Sequence, residues 1–142
     1  MKLRGNSPAK VDEKGRLKIP VQFLEELQEY GTSFYITSTR GESARIYPLT
    51  VWNEIEDSLA TKENTKEKRK FLMATSYYGQ VAELDAQGRV LLPAVLREKA
   101  VLKGDVAVLG SLNHLVVIND ARAVDQMEKA PLTDEEEDAL GI

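Results

Sequence analysis

Asp12-Glu13-Lys14-Gly15-Arg16-Leu17-Lys18-Ile19-Pro20 is written again as Asp85-Ala86-Gln87-Gly88-Arg89-Val90-Leu91-Leu92-Pro93, 73 residues further on. The same offset pairs Phe23 with Leu96, Glu25 with Glu98, Gly31 with Gly104, and Phe34-Tyr35-Ile36 with Ala107-Val108-Leu109. Two copies of one small unit predict an internal pseudo-dimer in which any site is repeated by pseudo-symmetry. They are too few for a solenoid, which needs three or more repeats. Each copy spans about 70 residues, a size at which a lone core is marginal. The copies are therefore expected to share one core.

Within a copy the quoted stretch reads as a hairpin running into a helix. Ala9-Lys10-Val11 and Leu17-Lys18-Ile19 alternate apolar and polar residues, as half-buried strands do. Asp12 suits the first position of a type I turn, and Gly15 supplies the positive φ of the bulge that follows. Asp85 and Gly88 repeat both choices. Pro20 and Pro93 close the strand and open a helix, where a missing N–H costs nothing. Phe23, Leu24, Leu27 and Tyr30 give the first helix an apolar face, and Gly31 ends it. Val95, Leu96 and Ala100 do the same in the second copy. Residues 34–37 with 44–47, and 106–109 with 115–118, are the second strand pairs. The second copy is the more apolar, so its strands are expected to be the better buried.

A closing helix follows each unit. Trp52, Ile55 and Leu59 line one face after Pro48. Val124 and Met127 line another after Asp120, a residue suited to capping. Between the units a stretch present once predicts a basic helix over residues 65–76, with Phe71, Leu72 and Thr75 on one face. Leu132-Thr133-Asp134-Glu135-Glu136 predicts a capped last short helix. The expected fold is mixed α/β (α+β), two intertwined half-barrels sharing a core with terminal helices. The expected divisions are unit 1 over 6–51, a helical linker over 52–78, unit 2 over 79–123, and a C-terminal helix with acidic tail over 124–142.

The 142 residues carry a net charge of −4, unevenly spread. Residues 131–142 hold Asp134, Glu135, Glu136, Glu137 and Asp138 and no cation; without those five the charge is +1. Residues 1–20 hold Lys2, Arg4, Lys10, Lys14, Arg16 and Lys18 against Asp12 and Glu13. Residues 61–70 hold Lys62, Lys66, Lys68, Arg69 and Lys70 against Glu63 and Glu67. Such asymmetry points to a polyanion partner or simply to solvated faces. There is no cysteine, which excludes disulfides and thiolate metal sites. No apolar run approaches the roughly 20 residues of a membrane span, and the N-terminus lacks a signal peptide's apolar stretch. A soluble cytoplasmic protein is expected.

Enzyme chemistry finds no footing. The single histidine, His114, sits in a loop and reads as a surface residue. No metal-ligand spacing, nucleophile elbow or phosphate-cradling loop is present. No catalytic residue, metal or cofactor, and no small-molecule substrate, is expected. What remains is the arginine after each turn. Asp12, Gly15, Asp85 and Gly88 serve as turn formers. A hairpin has no need of Arg16 or Arg89. Either each pairs with its aspartate as a staple, or the pair offers two guanidiniums for bidentate contact with guanine or phosphate.

The D-x-x-x-R motif at Asp12–Arg16 and again at Asp85–Arg89, Arg4-Gly5 near the start, and Tyr47-Pro48-Leu49 before Trp52 together resemble the MraZ family, over roughly residues 1–130. Its half-units belong to the SpoVT-AbrB class of DNA-binding barrels. The resemblance implies a nucleoid-associated transcriptional regulator that assembles as a ring-shaped homo-oligomer. It implies binding of double-stranded DNA at direct repeats in the promoter of its own division and cell-wall gene cluster, which it represses. It marks Arg16 and Arg89 as DNA-contacting; Lys14, Lys18 and Arg4 are expected to join them. Three departures stand out: Lys18 beside Arg16, Ala86-Gln87 in place of Glu13-Lys14, and Val124 in place of Trp52. The rival reading is a protein-binding adaptor, antitoxin-like, that wraps a partner with its tail.

Overall fold

The computed structural model describes residues 1–142. Strands β1 (Asn6–Val11) and β2 (Arg16–Lys18) form the first hairpin. Helix α1 (Val21–Leu27) follows and continues as a 3-10 turn to Tyr30. Gly31, at φ 90°, then reverses the chain. Strands β3 (Ser33–Thr37) and β4 (Ala44–Pro48) form the second pair. Helices α2 (Leu49–Ala60) and α3 (Lys66–Tyr77) connect the copies. The second copy runs β5 (Gln80–Glu83), β6 (Arg89–Leu91), α4 (Ala94–Lys99), β7 (Gly104–Gly110) and β8 (Leu115–Asn119). Helices α5 (Asp120–Lys129) and α6 (Asp134–Ala139) complete the chain.

All eight strands make one sheet, in the order β5-β3-β4-β8-β7-β1-β2-β6. The outermost strands, β5 and β6, are joined by the second turn, so the sheet nearly closes into an antiparallel barrel. The order is unchanged when the copies are exchanged. β1 lies on β7 as β5 lies on β3, while β2–β6 and β4–β8 are self-paired seams on opposite sides of the circle. The two copies are therefore threaded through each other. Twenty buried apolar residues from both form one core, among them Leu17, Phe34, Ile36 and Ile46 of the first and Val90, Val108, Leu115 and Val117 of the second. This is the shared core that two marginal half-units require.

Helix α3 begins where expected, with the Thr65 hydroxyl accepting the Lys68 N–H at 3.2 Å. It docks on the first copy: Trp52 of α2 stacks on Tyr35 with centroids 4.8 Å apart and on Phe71 of α3 at 6.2 Å. The Thr75 carbonyl accepts both the Tyr35 and Thr37 hydroxyls.

Some expectations need correction. Asn119, not Asp120, caps α5, its side chain accepting the Arg122 N–H at 3.2 Å. Ala123 is the residue buried on that helix, while Val124 and Met127 are exposed. A small residue lets α5 lie close on Ala107 and Ile118, and this sets the helix rotation. Val95 is exposed as well, because Leu96 and Ala100, four apart, fill the inward face of α4. The second copy's strands are no better buried than the first's: both copies contribute four strands to one nearly closed sheet, and β5 buries only Ala82. His114 is half-buried rather than a surface residue, stacked on Tyr47 at 4.5 Å.

Candidate nucleic-acid interface

Each turn is built around one aspartate. Asp12 Oδ1 accepts the backbone N–H groups of Lys14 and Arg16, both at 2.9 Å, and the Asp12 carbonyl accepts the Gly15 N–H. Asp85 repeats this with Gln87, Arg89 and Gly88. The second carboxylate oxygen is left for the arginine. Arg16 Nε lies 2.9 Å from Asp12 Oδ2, and Arg89 Nε lies 2.8 Å from Asp85 Oδ2. The D-x-x-x-R motif is thus one device in which the same carboxylate folds the turn and aims the guanidinium. The Arg16 backbone N–H, then its side chain, hold the Asp12 carboxyl below its ordinary 3.8; Arg89 does the same for Asp85.

The β2–β6 seam brings the devices together. Its register pairs Arg16 with Leu91, Leu17 with Val90 and Lys18 with Arg89. Leu17 and Val90 point into the core, so Arg16, Lys18, Arg89 and Leu91 share the outer face. Across this ribbon the Ile19 N–H donates to the Gly88 carbonyl and the Leu92 N–H to the Gly15 carbonyl. Each turn is held by the other copy. Arg89 Nη1 stands 3.9 Å from Asp12 Oδ2, so one carboxylate lies between both guanidiniums. Lys14 is exposed on the first turn and Lys18 beside Arg89.

The arginines are not equivalent. Arg89 also donates from Nη2 to Gln87 Oε1 at 2.8 Å. Arg16 uses Nε alone, leaving both terminal nitrogens free of protein partners. Arg4 is not part of this cluster. It precedes β1, at the end of that strand away from the first turn, beside Gln22 and Glu26 of α1. Arg97 of α4, not singled out from sequence, lies against Gly15, with its Nε on the Leu92 carbonyl at 3.1 Å. Its counterpart at the 73-residue offset, Leu24, faces Gly88; the offset was the available signal, but an arginine facing a leucine does not advertise a shared position.

No group of three or more His, Asp or Glu residues is placed to hold a metal ion. No helix is long and apolar enough to cross a membrane.

The family described as "MraZ protein, putative antitoxin-like" matches the chain over residues 3–74 and 79–141, one span for each copy. A protein of Acidobacterium capsulatum named transcriptional regulator MraZ is 50% identical over 139 residues, which cover 96% of this chain and 95% of that protein. Its namesake in Koribacter versatilis is 45% identical over 140 residues, 96% of this chain and 95% of its own. That of Moorella thermoacetica is 40% identical over 113 residues, 79% and 77% of the two chains. These relatives are named as regulators and not as enzymes, in line with the non-enzymatic reading of the sequence. With both repeats matched and relatives at this identity over nearly the whole length, the chain belongs to the MraZ family.

Proposed function

We propose that this protein is a transcriptional regulator that binds double-stranded DNA sequence-specifically through the outer face of the β2–β6 ribbon. The observation that carries the reading is the single Asp12 carboxylate between Arg16 and Arg89, with Lys14 and Lys18 exposed around it. A carboxylate that orients an arginine while leaving its terminal nitrogens free prepares it for a bidentate acceptor such as guanine O6/N7 or a phosphate. The lysines supply salt-sensitive attraction to the backbone. Arg4, at the far end of β1, extends the basic surface. One ribbon makes few contacts, so we further propose that copies of the chain assemble into a ring and engage repeated boxes together, multiplying weak contacts. The target is the promoter of its own division and cell-wall gene cluster, and the outcome is repression.

The test is titration of a duplex from the gene's own upstream region beside a shuffled duplex, at several salt concentrations. Tighter binding to the native duplex, with log K falling linearly in log salt, is the expected result. Equal affinity for both duplexes rejects sequence-specific readout, and no binding to either favours the antitoxin-like adaptor.

A further inference from the structure

Helix α3 carries an outer stripe that nothing in the chain covers. Lys66, Arg69, Lys70, Met73 and Tyr77 follow one another at helical spacing and all face solvent, Met73 75% and Tyr77 68% exposed. The stripe is basic in its first half and apolar in its second. Its cations, joined by Lys68 and opposed only by Glu67, crowd the N-terminal half of the helix, where the macrodipole is already positive. That end is complementary to an anion. The stripe is not an extension of the arginine ribbon: α2 and α3 are carried on the β3–β4 side, whereas β2–β6 is the seam opposite β4–β8.

The C-terminus has the matching composition in the same order. A capping box between Thr133 and Glu136 starts α6, whose first turn is Asp134 to Glu137. Leu140 and Ile142 follow, 69% and 86% exposed. Every residue from Val124 onward is exposed, and none of these carboxylates pairs with a cation of α3 in its own chain. The six residues of α6 rise about 9 Å and Leu140 to Ile142 continue beyond it past Gly141, while Lys66 to Tyr77 covers about 16 Å, so the acidic helix spans the basic half of the stripe and leaves Leu140 and Ile142 for the apolar half.

We propose that residues 132–142 of one copy dock along the outer stripe of α3 of a second copy, carboxylates against Lys66, Arg69 and Lys70, and Leu140 and Ile142 against Met73 and Tyr77. The acidic helix offsets both the cations and the dipole of α3, and the apolar ends exclude water together. Because donor and acceptor are different surfaces of one chain, the contact is heterologous and leaves each copy with a free donor and a free acceptor. It rests on the self-association proposed above and names the surfaces that make it.

Two full-length variants test it by sedimentation velocity without DNA. Lys66→Glu/Lys70→Glu removes the acceptor, and Leu140→Asp/Ile142→Asp removes the donor. All four residues are solvent-facing, so both variants should keep the parent's melting temperature. Each alone should lose self-association on the order of tenfold or more. Mixed in equal amounts they should form one-to-one dimers and nothing larger, since one intact donor meets one intact acceptor. A parent that stays monomeric at every concentration overturns the proposal and the ring together, while leaving the DNA titration to judge the ribbon. Assembled variants on an assembled parent overturn the docking alone.

Discussion

The Asp12 carboxylate stands 3.9 Å from Arg89 Nη1, although the two residues belong to different copies of the repeat. That distance makes the two turns one electrostatic unit. Arg16 and Arg89 converge because β2 and β6 form one of the two self-paired seams of a nearly closed sheet, the one that joins the two motif-bearing turns. The staple reading and the DNA-contact reading are therefore not exclusive. Asp12 staples Arg16 through Nε, and a staple at Nε leaves Nη1 and Nη2 free of protein partners.

Arg16→Ala should weaken promoter binding more than Arg89→Ala. Arg16 has both terminal nitrogens free and Lys14 on its own turn, whereas Arg89, the cross-strand neighbour of Lys18, is tied to Asp85, Gln87 and, more loosely, Asp12. A lost bidentate contact costs about 1–3 kcal/mol. Parallel DNA titrations of the two variants check this; an equal loss would mean that the protein contacts of Arg89 are given up on binding.

The turn glycines should also differ. Gly15 and Gly88 sit at φ 85° and 78°, where a β-branched residue is strained by about 1–3 kcal/mol. A Cβ on Gly15 would in addition run into the Arg97 side chain, whereas one on Gly88 would meet only the tip of Leu24 at 3.2 Å. Gly15→Val should therefore lower the denaturation midpoint more than Gly88→Val, and both should lose DNA binding by misaiming the arginine that follows. Equal midpoints would show that Arg97 swings aside freely.

Much of this was legible because a repeat constrains itself. Turn residues at Asp12 and Gly15 are weak signals alone, but their return at Asp85 and Gly88 fixed the hairpins, the helices after Pro20 and Pro93, and the arginines worth watching. The interleaving was less legible. Periodicity locates β1 and β7 but carries no mark of their pairing, which is decided by closure of the sheet. The rotation of α5 is hidden in the sequence because Val124 and Met127 are larger than Ala123, whereas close helix–sheet packing selects the small residue. His114 looked solvent-facing because its stacking partner, Tyr47, comes from the other copy.

Trp52→Phe should cost less stability than its loss of area suggests. The indole ring is 2% exposed and central to the stack of Tyr35, Tyr47 and Phe71, yet its Nε1–H has no hydrogen-bond partner. An unsatisfied buried donor is penalised by about 1–3 kcal/mol, and phenylalanine removes it while keeping an aromatic face. Trp52→Ala should cost about 3–5 kcal/mol through loss of the ring. Urea denaturation separates the two; if Phe is as damaging as Ala, the orphaned donor carries no penalty.

His114 should give the protein a stability step in mildly acidic solution. Burial first, and then the charge of Arg45, push its pKa from the ordinary 6.5 to about 4. The folded state thus holds a neutral imidazole over a range where the unfolded chain is protonated. The unfolded state binds more protons there, so stability is full above about pH 6.5, falls as pH drops toward 4, and levels off below. Asp12 and Asp85, held below 3.8, lose their contribution only at lower pH still, so the two steps separate. His114→Phe keeps a ring against Tyr47 without a titrating group, and should flatten the melting temperature between pH 7 and pH 4.5. As the chain has a single histidine, its imidazole protons report the folded pKa directly by NMR. A titration midpoint near 6.5 in the folded protein, with an unchanged pH profile for His114→Phe, would show that the Tyr47 stack leaves the imidazole open to water.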